Sequence, residues 1–145
     1  MLKRICVKLT AALVWALFAT MASAELVVIV HPDNPVTTIT QAQLKQIFLG
    51  RMPLFPDSKI EIVALDLPGN DPEFSEFYQK VVNLEAAKLK RYRAYYLFSG
   101  RGKLPKEMDS ANAVVEEVLA NRRAIGYIDQ SHLKDNVRVV LTIAD

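Results

Sequence analysis

Apolar positions along this chain fall into short solid runs and longer spaced ones. LVVIV at Leu26–Val30 is an unbroken run rich in branched residues, the pattern of a strand covered on both faces. HPDNPV ends it with two prolines. Thr40 can cap the next helix while Gln43 reaches back from its third position; Leu44, Ile47 and Phe48 then share a face before Gly50 stops the run. IEIVAL, residues 60–65, predicts a second strand. After a glycine turn, Phe74, Phe77, Tyr78 and Val81 recur at helical spacing. LEAAKLKRYRAYYLF predicts another helix, with Leu84, Ala87, Arg91, Tyr95 and Phe98 on or near one side and Leu89, Tyr92 and Tyr96 alongside. The two helices predict a hairpin bent near Asn83. SGRGKLP interrupts the pattern with two glycines and a proline. A helix starting at Asp109 or Ser110 carries Val114, Val115, Val118 and Leu119 inward and stops near Asn121, and AIGYI and VRVVLTI predict the last strands. Helices alternating with short buried strands predict an α/β sandwich.

The first 24 residues stand apart. MLKRICVKLTAALVWALFATMASA has a basic start at Lys3, Arg4 and Lys8, an apolar run from Leu9 to Met21, and small residues at Ala22 and Ala24. This predicts a cleavable signal peptide over residues 1–24, export to the periplasm, and one mature domain over residues 25–145. A membrane anchor would need about 20 apolar residues, more than this run supplies. Removing the segment changes the charge balance. The chain has 18 basic and 16 acidic residues; without Lys3, Arg4 and Lys8 the formal charge falls from +2 to −1. Cys6 leaves too, so the exported chain has no thiol and no disulfide. The near-neutral balance argues against nucleic acid as a partner, although KLKRYRAYY interleaves basic and aromatic residues.

Two stretches have the chemistry of an anion site. In LDLPGNDPEFSEFYQKVV a helix starts directly after a strand, so free backbone N–H groups point at the turn around Gly69 and Asn70. The competing reading is a self-capped helix start: Asn70 with Glu73 forms a capping box, Asp71 is an equally good cap, and Asp71 and Glu73 repel an incoming anion. The second stretch is the loop Ser99, Gly100, Arg101, Gly102 and Lys103, where two cations stand among glycines and a hydroxyl. Its alternatives are a solvated basic face or a docking surface for an acidic protein. The Walker spacing of a nucleotide-binding loop is absent. Catalysis is poorly supplied: the mature histidines are His31 and His132, and the pairs His31 with Asp33 and His132 with Asp129 read as surface turns. No serine has a nucleophile elbow around it. No enzyme, metal or cofactor is implied.

VVIVHPDNPV, LKQIFLGR, FYQKVV, YRAYYLFSGRGKLP and AIGYID, in that order from Val27 to Asp129, resemble the phosphate-binding type of periplasmic solute-binding protein, in particular its short, single-lobe members. The resemblance implies a small mixed sheet covered by helices, similar to one lobe of a type 2 periplasmic binding protein. It also implies inorganic phosphate or another oxyanion as ligand, an ABC-type phosphate uptake system, and a transporter membrane component or other envelope protein as partner. Where phosphate-binding members carry serine or threonine hydroxyls, this chain reads GNDP, with Asp66 just before it. A single lobe would need a partner or a homodimer to enclose its ligand. The alternative is an envelope adaptor that kept the fold without tight phosphate binding.

Overall fold

β1 (Leu26–Val30) lies inside the sheet, with a strand on either side, and is buried along its whole length, as its unbroken apolar run predicts. A computed structural model describes residues 25–144, and the signal-peptide expectation lies outside them. After β1 come α1 (Gln41–Phe48), β2 (Val63–Asp66), α2 (Pro72–Phe77), α3 (Ala86–Ser99), β3 (Lys106–Glu107), α4 (Ala111–Ala120), β4 (Ala124–Asp129) and β5 (Arg138–Ile143). A π-helical turn, Tyr78–Val82, prolongs α2, and a 3-10 turn, Gln130–His132, follows β4. The strands order as β3-β2-β4-β1-β5. β2 runs parallel to β3 and β4, whereas β1 is antiparallel to both β4 and β5, so the sheet is mixed.

Successive residues of β4 point to opposite faces, and that alternation builds the two helical layers. On one face the Tyr127 ring stacks on Phe77 of α2, with centroids 3.8 Å apart, and meets Phe48 of α1 edge-on at 5.6 Å. On the other face Gly126 admits α4: a Cβ there would stand 2.5 Å from Val114 Cγ1. Val114 is β-branched and held on a helix, so it has little freedom to step aside. Gly126→Ala is therefore expected to cost about 1–3 kcal/mol by overpacking. Urea titration checks this, and an unchanged midpoint would mean that α4 can slide off the strand at little cost.

Local signals place most boundaries. Thr40 and Gln43 form the reciprocal capping box of α1, Ser110 caps α4 through the Ala113 amide, and Asn83 takes a left-handed turn at the bend between α2 and α3. Two differences matter. β2 begins at Val63 rather than at residue 60, because residues 60–62 pair instead with the preceding bend: the Phe55 amide donates to the Ile60 carbonyl and the Ile62 amide to the Pro53 carbonyl. On α3, Leu89 and Tyr96 are buried, whereas the predicted row through Tyr95 and Phe98 faces outward. The Tyr92 and Tyr96 hydroxyls donate to the Leu49 and Gly50 carbonyls, and Arg93 reaches Asp66, which together set the rotation of the helix.

Candidate functional site

β2 ends on Asp66, a carboxylate only 2% exposed. Burying it requires donors on both oxygens. Tyr127 Oη donates to Oδ1 at 2.8 Å; Tyr78 Oη at 2.8 Å and Arg93 Nη2 at 2.6 Å donate to Oδ2. The Arg93 guanidinium also meets the Tyr78 hydroxyl and lies 5.0 Å above that ring. Burial pushes the Asp66 carboxyl above its usual range against the pull of Arg93, Tyr127 and Tyr78. Burial also raises both tyrosines, and the Asp66 charge raises them further, so they remain donors. For Arg93, burial opposes the charge, but Tyr78 and Asp66 beside it hold its pKa above the usual arginine value. An internal cation thus occupies the acceptors at the end of this strand.

The turn beyond Asp66 is also partly closed on itself. The Asp71 amide donates to the Pro68 carbonyl, the Glu73 amide to Asp71 Oδ1, and the Phe74 amide to the Asp71 carbonyl. Of the two caps open in the sequence, Asp71 is the one used. Gly69 has open space where a Cβ would stand, so its backbone makes no close approach that only glycine allows. Burial, then the Asp71 charge, raises the Glu73 carboxyl against a hydrogen bond from the Asp129 backbone that pulls it down. Asp129 itself is held low by its hydrogen bonds with Ser131. Negative charge gathers at this end of the sheet and disfavours an anion beside Gly69 and Asn70. On the first of the histidine turns, His31 Nδ1 accepts from the Asp33 amide.

The second stretch lies at the opposite end. β3 pairs in parallel with β2 through Leu65↔Lys106 and Asp66↔Glu107, so the loop entering β3 approaches the start of β2, while Gly69 lies beyond its finish. Arg101, Gly102 and Lys103 line a cleft of about 620 Å³ between this loop and the bend after α1. Gly102 fits there because a Cβ would stand 3.0 Å from both the Gly50 carbonyl oxygen and the Tyr96 ring. Arg51 and Lys106 join Arg101 and Lys103 on the cleft walls, over an apolar lining that includes Met52, Leu54, Ile62 and Leu104. The carboxylate on the wall, Glu61, is paired with Arg123 at 2.6 Å. Among the described residues, Arg101, Lys103 and Lys106 make no ion pair. Ser99 turns back to the Tyr96 carbonyl and Gly100 caps α3, so neither lines the cleft.

The seven sequence candidates therefore separate. Three meet in the cleft, two form the helix end beside it, and Gly69 and Asn70 sit across the sheet. Sequence reasoning missed Arg51 and Lys106, which no local spacing links to the loop. It also missed the Asp66, Arg93, Tyr78 and Tyr127 cluster. Its one legible trace was an acid, Asp66, standing inside an otherwise apolar strand end.

These elements form a mixed sheet with helices on both faces, the fold of one lobe of a type II periplasmic binding protein. The chain is similar in fold to a structure with bound phosphate assigned as a phosphate ABC transporter substrate-binding protein from Clostridium perfringens, with TM-score 0.64, 24% identity, and 81% of this chain and 45% of that one covered. It is also similar to an ABC-type phosphate transport receptor from Vibrio cholerae (TM-score 0.63, 18% identity, 81% and 46% covered). A third likeness is to PstS from Borrelia burgdorferi (TM-score 0.61, 18% identity, 81% and 47% covered). The chain spans less than half the length of each, and at these identities the likeness is one of fold. It matches no protein-family model and no curated protein. Among the described residues no group of three or more His, Cys, Asp or Glu is placed to hold a metal ion.

Proposed function

We propose that this chain is an exported, solute-binding-like lobe that recognises phosphate or a similar small oxyanion through the basic cleft, in the service of an ABC-type phosphate uptake system. The observation that carries the reading is the convergence of Arg51, Arg101, Lys103 and Lys106 on one cleft whose only carboxylate is already paired. Such cations attract and orient an oxyanion by charge-assisted hydrogen bonds. The fold shared with phosphate transport receptors supports the same ligand class. One lobe leaves the cleft open, so tight capture requires a second copy or an envelope partner, such as the transporter's membrane component, to close it.

Calorimetric titration of the chain from Glu25 onward with phosphate, then sulfate, at low and moderate salt tests this. Saturable binding that persists in salt is expected, and Arg101→Ala should weaken it by about 1.5 kcal/mol, roughly tenfold in Kd. Equal affinity in the variant would remove Arg101 from the site.

A second reading is an envelope adaptor that kept the fold and lost tight phosphate binding. It is favoured by the committed amides of Asp71, Glu73 and Phe74 beside Gly69 and by the internal Asp66–Arg93 pair. A folded protein that gives no heat with either anion would turn the assignment this way.

A further inference from the structure

α3 presents an outward face that neither the core nor the cleft uses. At about 3.6 residues per turn, the buried Leu89 and Tyr96 mark one side of the helix. Ala87, Arg91, Ala94 and Phe98 then run along the opposite side, flanked by Lys88, Lys90, Tyr95 and Leu97. The exposures agree: Phe98 is 93% exposed, Tyr95 64% and Leu97 62%. Phe98 stands at the middle of this face, with Tyr95 and Leu97 on its two flanks, so the last turns of the helix carry three exposed large apolar side chains.

The charge around them is one-sided. Residues 86–106 contain seven Lys or Arg and no Asp or Glu, whereas the rest of the chain from Glu25 contains 8 basic and 16 acidic residues. Arg93 turns inward to Asp66, leaving Lys88, Lys90 and Arg91 exposed on the outer face of α3.

We propose that this face docks on an anionic phospholipid bilayer, with Phe98 entering the headgroup boundary, Leu97 and Tyr95 resting at it on either flank, and Lys88, Lys90 and Arg91 lying over the lipid phosphates. The apolar end supplies the wedge and the basic flank supplies the attraction, the two components of interfacial binding. Shape selects lipid over a folded partner. Phe98 stands almost free of its neighbours, so this is a projecting tip without groove walls, and a fluid bilayer can mould around it. A second copy meeting face to face would set these cations against their equals. No helix among the described residues is long and apolar enough to cross a membrane, so the contact is superficial.

The experiment uses the chain from Glu25, which contains every described element and the whole described core. The sequence has one tryptophan, Trp15, which lies before that point, so Phe98→Trp becomes a sole reporter. Its emission is expected to shift to the blue with vesicles of phosphatidylcholine mixed with phosphatidylglycerol, and to stay put with phosphatidylcholine alone. In sedimentation with the mixed vesicles the unsubstituted protein should bind, Phe98→Ala should bind about tenfold more weakly with unchanged circular dichroism, and added salt should release both. An unshifted Phe98→Trp emission, or equal sedimentation of Phe98→Ala, would overturn the proposal. A shift produced by an acidic protein but not by vesicles would also overturn it and assign the face to a protein partner.

Discussion

Replacing Arg93 with methionine is expected to lower folding stability by about 3–5 kcal/mol, because it strands a buried carboxylate. Asp66 would keep its two tyrosine donors but lose the cation 2.6 Å away, the only one paired with it among the described residues. Its carboxyl, already raised by burial, then rises further. The pH dependence follows with a definite sign. A group whose folded pKa lies above its unfolded value favours folding in acid and loses that contribution as pH climbs through the folded pKa. The Arg93→Met deficit should therefore be smaller at about pH 5 than at about pH 8. Urea titrations at both values measure it, and equal deficits would rule out the stranded charge as the cause. Adding Asp66→Asn to Arg93→Met should recover part of the loss, since it removes the charge and leaves both tyrosines a carbonyl or amide to meet.

Phe77→Ala is expected to cost a similar amount, about 3–5 kcal/mol, by opening a cavity where three elements meet. Phe77 is fully buried, stacks parallel to Tyr127 of β4 at 3.8 Å, and meets Phe48 of α1 at 4.7 Å and Tyr78 at 5.2 Å. Two of those neighbours, Tyr127 and Tyr78, hold Asp66. Loss of the ring therefore loosens the donors of the buried carboxylate as well as the core. Phe77→Ala and Arg93→Met should be non-additive, as expected for residues that share partners. Single and double variants measured by urea titration form the test, and strict additivity would separate the aromatic stack from the charge cluster.

The Asp66 cluster also bears on ligand choice. Two binding readings compete for opposite ends of the same sheet, and the Gly69 end is disfavoured by its own chemistry: the Asp71, Glu73 and Phe74 amides already donated, an arginine already paired, and carboxylates of Asp71, Glu73 and Asp129 gathered nearby. The cleft end has the reverse character, with cations over an apolar lining. The two ends differ in charge.

What could be read from the sequence was whatever a short span of chain encodes. The solid run of Leu26–Val30 announced a doubly covered strand, Thr40 with Gln43 announced a capped helix, and the spacing of Phe74, Phe77, Tyr78 and Val81 announced a buried helical face, because each signal needs only neighbours within a turn or a strand. Ser110 and Asn121 bounded α4 for the same reason. Tertiary structure decided what depends on distant partners. It rotated α3 so that Arg93, Tyr92 and Tyr96 face inward, a choice invisible in a helix that carries aromatic and basic residues on every side. It placed Asp66 and Arg93, 27 positions apart, in one ion pair. And by running β3 parallel to β2, it sent the two glycine turns to opposite ends of the sheet, since parallel pairing fixes direction through hydrogen bonds between segments that carry no mark of each other in sequence.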